Sequence, residues 1–331
     1  MDNHPRYRSL FWPILLVGVG IVWLLSNLGM VQPISLGSIL KFWPVVLIVI
    51  GLDMLFGRRY PWVGGVVGLL AVAGVVAILM FGPRVGITTN SETKTETFTT
   101  PLVGVKTAEY TFDTSSAPVA INVLENNQTD LISADITYRG IMRFEVNGSD
   151  HTRVWMSEYT DNTSWLSWDF SFDNLKWNIG LSPDVPSDIN LNGGSGSINM
   201  DLTGLQLTSL QTDLGSGASN ITLPVSNETY EVDIESGSGS VTLRVPEQTS
   251  LTLTLDTGSG ATSVIIPAKT AMRIEVNDDG SGSFNLPSGL MKASDSSNFD
   301  IGAWQTPSYD TAQYKVLVQV LGQGSGSISI R

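Results

Sequence analysis

Cysteine is absent from this chain, and that absence excludes disulfides, thiolate metal sites and cysteine nucleophiles. Histidine is nearly absent too. His4 precedes the first apolar run and His151 stands alone in the remainder, so no paired-histidine zinc site can be assembled there. Any acid–base chemistry would fall to carboxylates. Basic residues are scarce: 18 Lys and Arg stand against 31 Asp and Glu, a net charge of −13. The deficit is uneven. Residues 1–83 hold five basic and two acidic residues, while residues 84–331 hold 13 and 29, a net −16. A Ser-, Thr- and Asn-rich segment of that charge repels DNA, RNA and anionic lipid headgroups, and nucleic acid is excluded as a partner. Without disulfides, the acidic part must be held by an apolar core and backbone ladders.

Long apolar runs are confined to the N-terminal part. Leu10 to Leu28 is uncharged over 19 residues, Ile39 to Phe56 is mostly apolar, and Trp62 to Phe81 is an uncharged 20. A bilayer core needs about 20 apolar residues as helix, so three transmembrane helices are expected at about 10–28, 39–56 and 62–81. The first two read as copies, Phe11-Trp12-Pro13 recurring as Phe42-Trp43-Pro44 at an offset of 31. No small-x-small cleavage site follows the first, which argues against a signal peptide. Arg6 and Arg8 precede the first run, and Arg58 and Arg59 fill the turn between the second and third. The positive-inside rule then places the N-terminus in the cytoplasm and everything after Phe81 outside, in a multi-pass plasma-membrane protein. Asp53 is read as the partner of Arg58 and Arg59 in an interfacial ion pair. Gly64, Gly68 and Ala71 form a small-residue stripe suited to close helix packing, within the chain or in a homo-oligomer.

Beyond a polar tether at 84–94, the tripeptide Gly-Ser-Gly sets the organisation. Its first glycines are Gly194, Gly215, Gly237, Gly258, Gly280 and Gly324, at steps of 21, 22, 21, 22 and 44 residues. A fixed period in this range marks a stacked supersecondary unit. Alternating apolar runs flank each tripeptide, such as Val232 and Ile234 before and Val241 and Leu243 after, which is the pattern of half-buried strands. Glycine permits positive φ and a sharp corner, and Pro224, Pro246, Pro267 and Pro287 suit strand ends. The expected fold is a membrane-anchored all-β protein whose residues 95–331 form a β-solenoid with repeats of about 22 residues. Weaker strands at 108–112, 119–124, 131–138, 142–146 and 154–159 are its irregular first rungs, Ser288 to Tyr314 an extended loop, and Lys315 to Arg331 the last rung. Gly-Ser-Gly is a structural turn and not a phosphate cradle, because a strand and not a helix follows it.

Two residue groups are candidates for a site. Asp213, Glu235, Asp256 and Asp278 each lie two residues before a corner glycine. In register they would form a column at about 4.8 Å spacing. Two readings stand: each acid caps the backbone N–H groups of its own turn, which is preferred, or the column is a divalent-cation ladder. Trp165, Trp168 and Trp177 precede the regular repeats and Trp304 lies in the interruption. They read as a hydrophobic plug for the end of the stack or as a partner- or sugar-binding surface.

The string Trp177-Asn-Ile-Gly-Leu-Ser-Pro-Asp-Val-Pro186, with Ile189-Asn-Leu191, Gly193-Gly-Ser-Gly196 and Asp201-Leu-Thr-Gly-Leu205, resembles the C-terminal domain of LiaF-like proteins. The paired Trp-Pro hairpin resembles the LiaI/LiaF-type transmembrane region, and Gly324 to Ile330 is similar to the last rung of such domains. The resemblance implies the toast-rack or adhesin-like fold, a single-stranded right-handed β-helix, in a bacterial cell-envelope stress protein that restrains a sensor kinase. The expectation is a non-enzymatic membrane protein, without cofactor, that senses or regulates envelope stress through contact with a membrane sensor kinase or a small membrane protein. A surface adhesin or module binding cell-wall glycan is the alternative. A carbohydrate-active β-helix enzyme is third, by analogy of fold alone.

Overall fold

Alternation of apolar and polar residues leaves each strand one face to bury, and two sheets facing each other satisfy them all. The computed structural model describes residues 93–125, 129–159, 175–278, 280–294 and 301–331, with isolated helical positions at 16–18, 20, 47, 66, 69, 70, 73 and 74. No helix among the described residues is long and apolar enough to cross a membrane. The three expected spans and residues 84–92 of the tether fall almost wholly outside them.

The irregular part contains β1 (Thr93–Pro101), β2 (Thr107–Thr114), β3 (Val119–Val123), β4 (Asp130–Arg139), β5 (Ile141–Asn147), β6 (His151–Tyr159) and β7 (Lys176–Leu181). The repeats follow as β8 (Ser187–Gly193), β9 (Ile198–Asp201), β10 (Leu207–Leu214), β11 (Ser219–Thr222), β12 (Tyr230–Ser236), β13 (Val241–Arg244), β14 (Leu251–Thr257), β15 (Ala261–Ile265), β16 (Ala271–Val276) and β17 (Ser283–Asn285). The chain ends with β18 (Met291–Ser294), β19 (Gly302–Gln305), β20 (Lys315–Gln323) and β21 (Ser327–Ile330). Each repeat gives one strand to each sheet. One sheet runs β1-β4-β7-β3-β9-β11-β13-β15-β21-β17, the other β18-β19-β16-β20-β14-β12-β10-β8-β2-β6-β5. Between them lies one continuous core, in which Val232, Ile234, Leu243, Leu253 and Leu255 are almost fully buried.

The stack departs from sequence order at both ends. The pair β20–β21 was expected as the last rung, but it lies between β14–β15 and β16–β17. Likewise β8–β9 stacks on β2–β3, which displaces β6–β7 outward. The segment expected as an extended loop from Ser288 contributes β18 and β19, an antiparallel pair that covers β16. Antiparallel strands also close the opposite end, β4 and β1 in one sheet and β5 in the other, with the Phe98 and Phe144 rings 5.3 Å apart across them.

The corner glycines need a corrected explanation. Of the twelve glycines in the six tripeptides, Gly280 alone has a positive φ. Elsewhere the requirement is close stacking. The corner N–H groups bond to the carbonyls of the next corner, as in Gly215 N–H to Gly193 O at 2.9 Å and Gly324 N–H to Thr257 O at 2.7 Å. A Cβ on Gly260 would be built onto the carbonyl of Gly239, and one on Gly326 onto that of Gly260.

Candidate functional site: an acidic sheet face

Strand pairing decides which of the acidic residues meet. Asn192, Asp213, Glu235 and Asp256 stand opposite one another on β8, β10, β12 and β14. They line a shallow groove on the outer face of their sheet, beside Asn190, Gln211, Asp233 and Thr254. Asp278 does not join the column. The inserted β20 places Gly322 opposite Asp256, where a Cβ would touch the Asp256 carboxylate. Asp278 instead accepts a hydrogen bond from the Gly280 N–H at 3.1 Å, the turn cap expected for all four acids. Among the described residues no group of three or more His, Asp or Glu is arranged to hold a metal ion.

The aromatic candidates separate. Trp177, on β7, is fully buried between Val119 of β3 and Ile136 of β4. It therefore has no face for a partner, and its indole N–H is left without a hydrogen-bond acceptor. Trp304, on β19, is half-buried and packs against the core. Trp165 and Trp168 lie outside the described residues, as do Asp53, Arg58, Arg59, Gly64, Gly68 and Ala71.

Other groupings were hidden in the sequence because only pairing assembles them. Arg143, on β5, lies over the Trp155 ring at 4.6 Å and pairs with Glu145 at 2.6 Å. Arg153 binds Glu109 across β6 and β2 at 2.9 Å. His151 meets the Thr107 hydroxyl at 2.6 Å and lies 3.6 Å from Glu109. At the end of the stack Thr93 stands opposite Arg139, Lys176 opposite Thr137 and Ile141 opposite Tyr159. Burial raises the phenol pKa values of Tyr110 and Tyr230 well above the ordinary 10.0. Tyr110 donates to the Leu131 carbonyl and Tyr230 to that of Pro224, so both are anchors of the core.

Residues 11–103 match the LiaF transmembrane domain, and residues 88–244 match the N-terminal domain of toast_rack, DUF2154. No curated protein matches the chain. Among solved structures it is similar to a protein from Clostridium sporogenes ATCC 15579 whose description assigns it to cell adhesion. That likeness has 18% identity and a TM-score of 0.45, and covers 72% of this chain and 99% of the other. The two matched regions overlap and follow the order that the sequence resemblance implied, so the chain belongs with the LiaF-like toast-rack membrane proteins.

Proposed function

We propose that this protein is a non-enzymatic regulator of the cell envelope, held in the plasma membrane by its N-terminal part and acting through protein–protein contact. The observation that carries the reading is a LiaF transmembrane domain running directly into a toast-rack domain. The partner is a membrane sensor kinase or a small membrane protein, and the toast-rack domain is extracytoplasmic. The described polar groups support contact over chemistry. His151 is engaged by Thr107 and Glu109, and the acidic column lies on an open sheet face.

The test is genetic and chemical. Deletion of the gene should change the basal output of an envelope-stress reporter, and a photo-crosslinker at Thr254, on the outer sheet face, should capture the kinase or small membrane protein in intact cells. An unchanged reporter, together with retention of the protein on purified cell-wall polymer, would replace regulation by the adhesive reading.

A further inference from the structure

At the end of the stack built from β1 to β7, the two sheets stop at different depths. Beyond the rung β2–β3, one sheet adds β7, β4 and β1, while the other adds only β6 and β5. The first therefore overhangs by one strand, about 4.8 Å, and leaves a notch beside β5. Among the described residues no strand pairs with the outer edge of β1 or of β5, so each edge presents a row of backbone donors and acceptors. The notch opens on apolar side chains. Phe98 and Thr100 of β1 face inward beside Ala134 and Ile132, and Phe144 and Val146 of β5 face inward beside Met156 and Val154. The Phe98 ring lies 5.3 Å from that of Phe144, yet Phe98, Met142 and Phe144 are only partly buried and Val146 is 37% exposed.

Strand direction decides what fits the notch. β1 is antiparallel to β4 and β4 to β7, and β5 is antiparallel to β6. β6 and β7 are parallel to β2 and β3, which run in opposite senses across their corner, so β1 and β5 point the same way. A two-fold axis along the strands then sets β1 of one copy into the notch beside β5 of the other, twice, and continues both sheets across the junction. We propose that this end is a homodimer interface, closed by two parallel β1–β5 pairs between copies. The axis leaves position along the strands unchanged. Phe98 of one copy therefore comes opposite the partner's Phe144, four phenylalanine rings fill the seam, and Thr99 stands opposite the partner's Glu145. Two observations select a second copy as the occupant. The overhang is self-complementary, because the protruding strand of one end has the depth of the notch in the other. The axis also keeps both Thr93 residues, where the tether joins β1, on one side of the dimer, as two copies anchored in one bilayer require. A two-fold axis normal to the sheets would instead pair β1 with β1, leave the other sheet two strands short and set the two Thr93 residues at opposite ends. The proposal rests on the membrane attachment in the functional reading above.

The cysteine-free sequence makes the test direct. Thr99→Cys and Glu145→Cys are introduced together and singly into the full-length protein, which is reconstituted in phosphatidylcholine vesicles and oxidised. Within one chain the two positions lie on the outer faces of different sheets, too far apart to bridge. The double variant should be trapped as a disulfide-linked dimer several-fold more than either single variant, and adding Val146→Lys should abolish the trapping. Circular dichroism reports whether Val146→Lys keeps the fold. If it does not, dilution of the double variant with excess cysteine-free protein replaces it, and the trapped fraction should fall with dilution. Trapping of Thr99→Cys alone as strong as that of the pair would assign the end to antiparallel β1–β1 contact and overturn the proposal. A double variant that stays untrapped, whether the chain is monomeric or joined through its membrane part, overturns it as well. Failure to float with the vesicles while trapping persists would instead remove the membrane attachment and leave the interface.

Discussion

Gly260 and Gly204 are glycine for different physical reasons, and the difference sets the cost of replacing them. At Gly204 φ is +91° and a Cβ would meet nothing within 4 Å, so Gly204→Ala should cost only the left-handed backbone penalty, about 1–2 kcal/mol. At Gly260 the new methyl would overlap the backbone of the neighbouring corner, which cannot move without disturbing the ladder. Gly260→Ala should therefore lower stability by clearly more than Gly204→Ala in chemical denaturation; equal costs would refute the stacking account. The acid column makes a second prediction. Asp213, Glu235 and Asp256 face one another at strand spacing without the cap that Asp278 provides, so like-charge repulsion dominates there. Glu235→Gln should raise the melting temperature at low ionic strength, and sodium chloride should erase the gain. A stabilisation by calcium beyond that of sodium at matched ionic strength, lost in Glu235→Gln, would restore the cation ladder. The buried phenols give a third. Burial raises the folded-state pKa of Tyr110 and Tyr230 above 10.0, so above pH 10 the unfolded chain releases protons that the folded chain keeps. Their contribution is complete below pH 10 and is lost as pH rises toward the raised folded values. Phenolate absorbance of these two residues should appear together with alkaline unfolding; titration at pH 10 in a folded protein would contradict their burial.

At the scale of elements, the decisive feature is where the final rung sits. A last rung at the end of a solenoid could be removed with loss of one interface only. The pair β20–β21 instead fills the gap between β14–β15 and β16–β17. Gln323, 3% exposed, donates across that junction to the Ser283 carbonyl at 3.0 Å and within its own corner to that of Gly326 at 3.1 Å. Truncation after Gln313 should thus expose two apolar rung faces at once and release residues 271–313 to limited proteolysis, while β8 to β15 stay protected. A truncated protein as protease-resistant over 271–313 as the intact one would contradict the inserted order. The insertion also delays completion of the core until the C-terminus has been made, because β16 has no parallel partner before β20 arrives.

For the whole molecule, the charges around the apolar runs bear on which side of the membrane the strand stack occupies. Basic residues flank the N-terminus and the turn at Arg58 and Arg59, which predicts an extracytoplasmic domain after three spans. A cysteine at Ser91 should react with an impermeant maleimide in intact cells, and labelling only after lysis would reverse the topology.

Sequence alone determined what depends on local period. The Gly-Ser-Gly spacing and the alternation through Val232, Ile234, Val241 and Leu243 specify paired strands with their inner faces, because burial repeats every second residue whatever lies next door. The family followed from short strings such as Trp177 to Pro186 and Asp201 to Leu205, and the end strands β2 to β6 were visible as weaker alternation. Rung order was not legible. Leu253 is buried whether β20 or β16 lies beside β14, so the pattern is blind to the choice, and only packing of the C-terminal segment decides it. The same blindness produced the expected continuous acid column, which Gly322 interrupts. It also hid the Arg153–Glu109 pair, which only the pairing of β6 with β2 brings together, a relation that no spacing in the chain encodes.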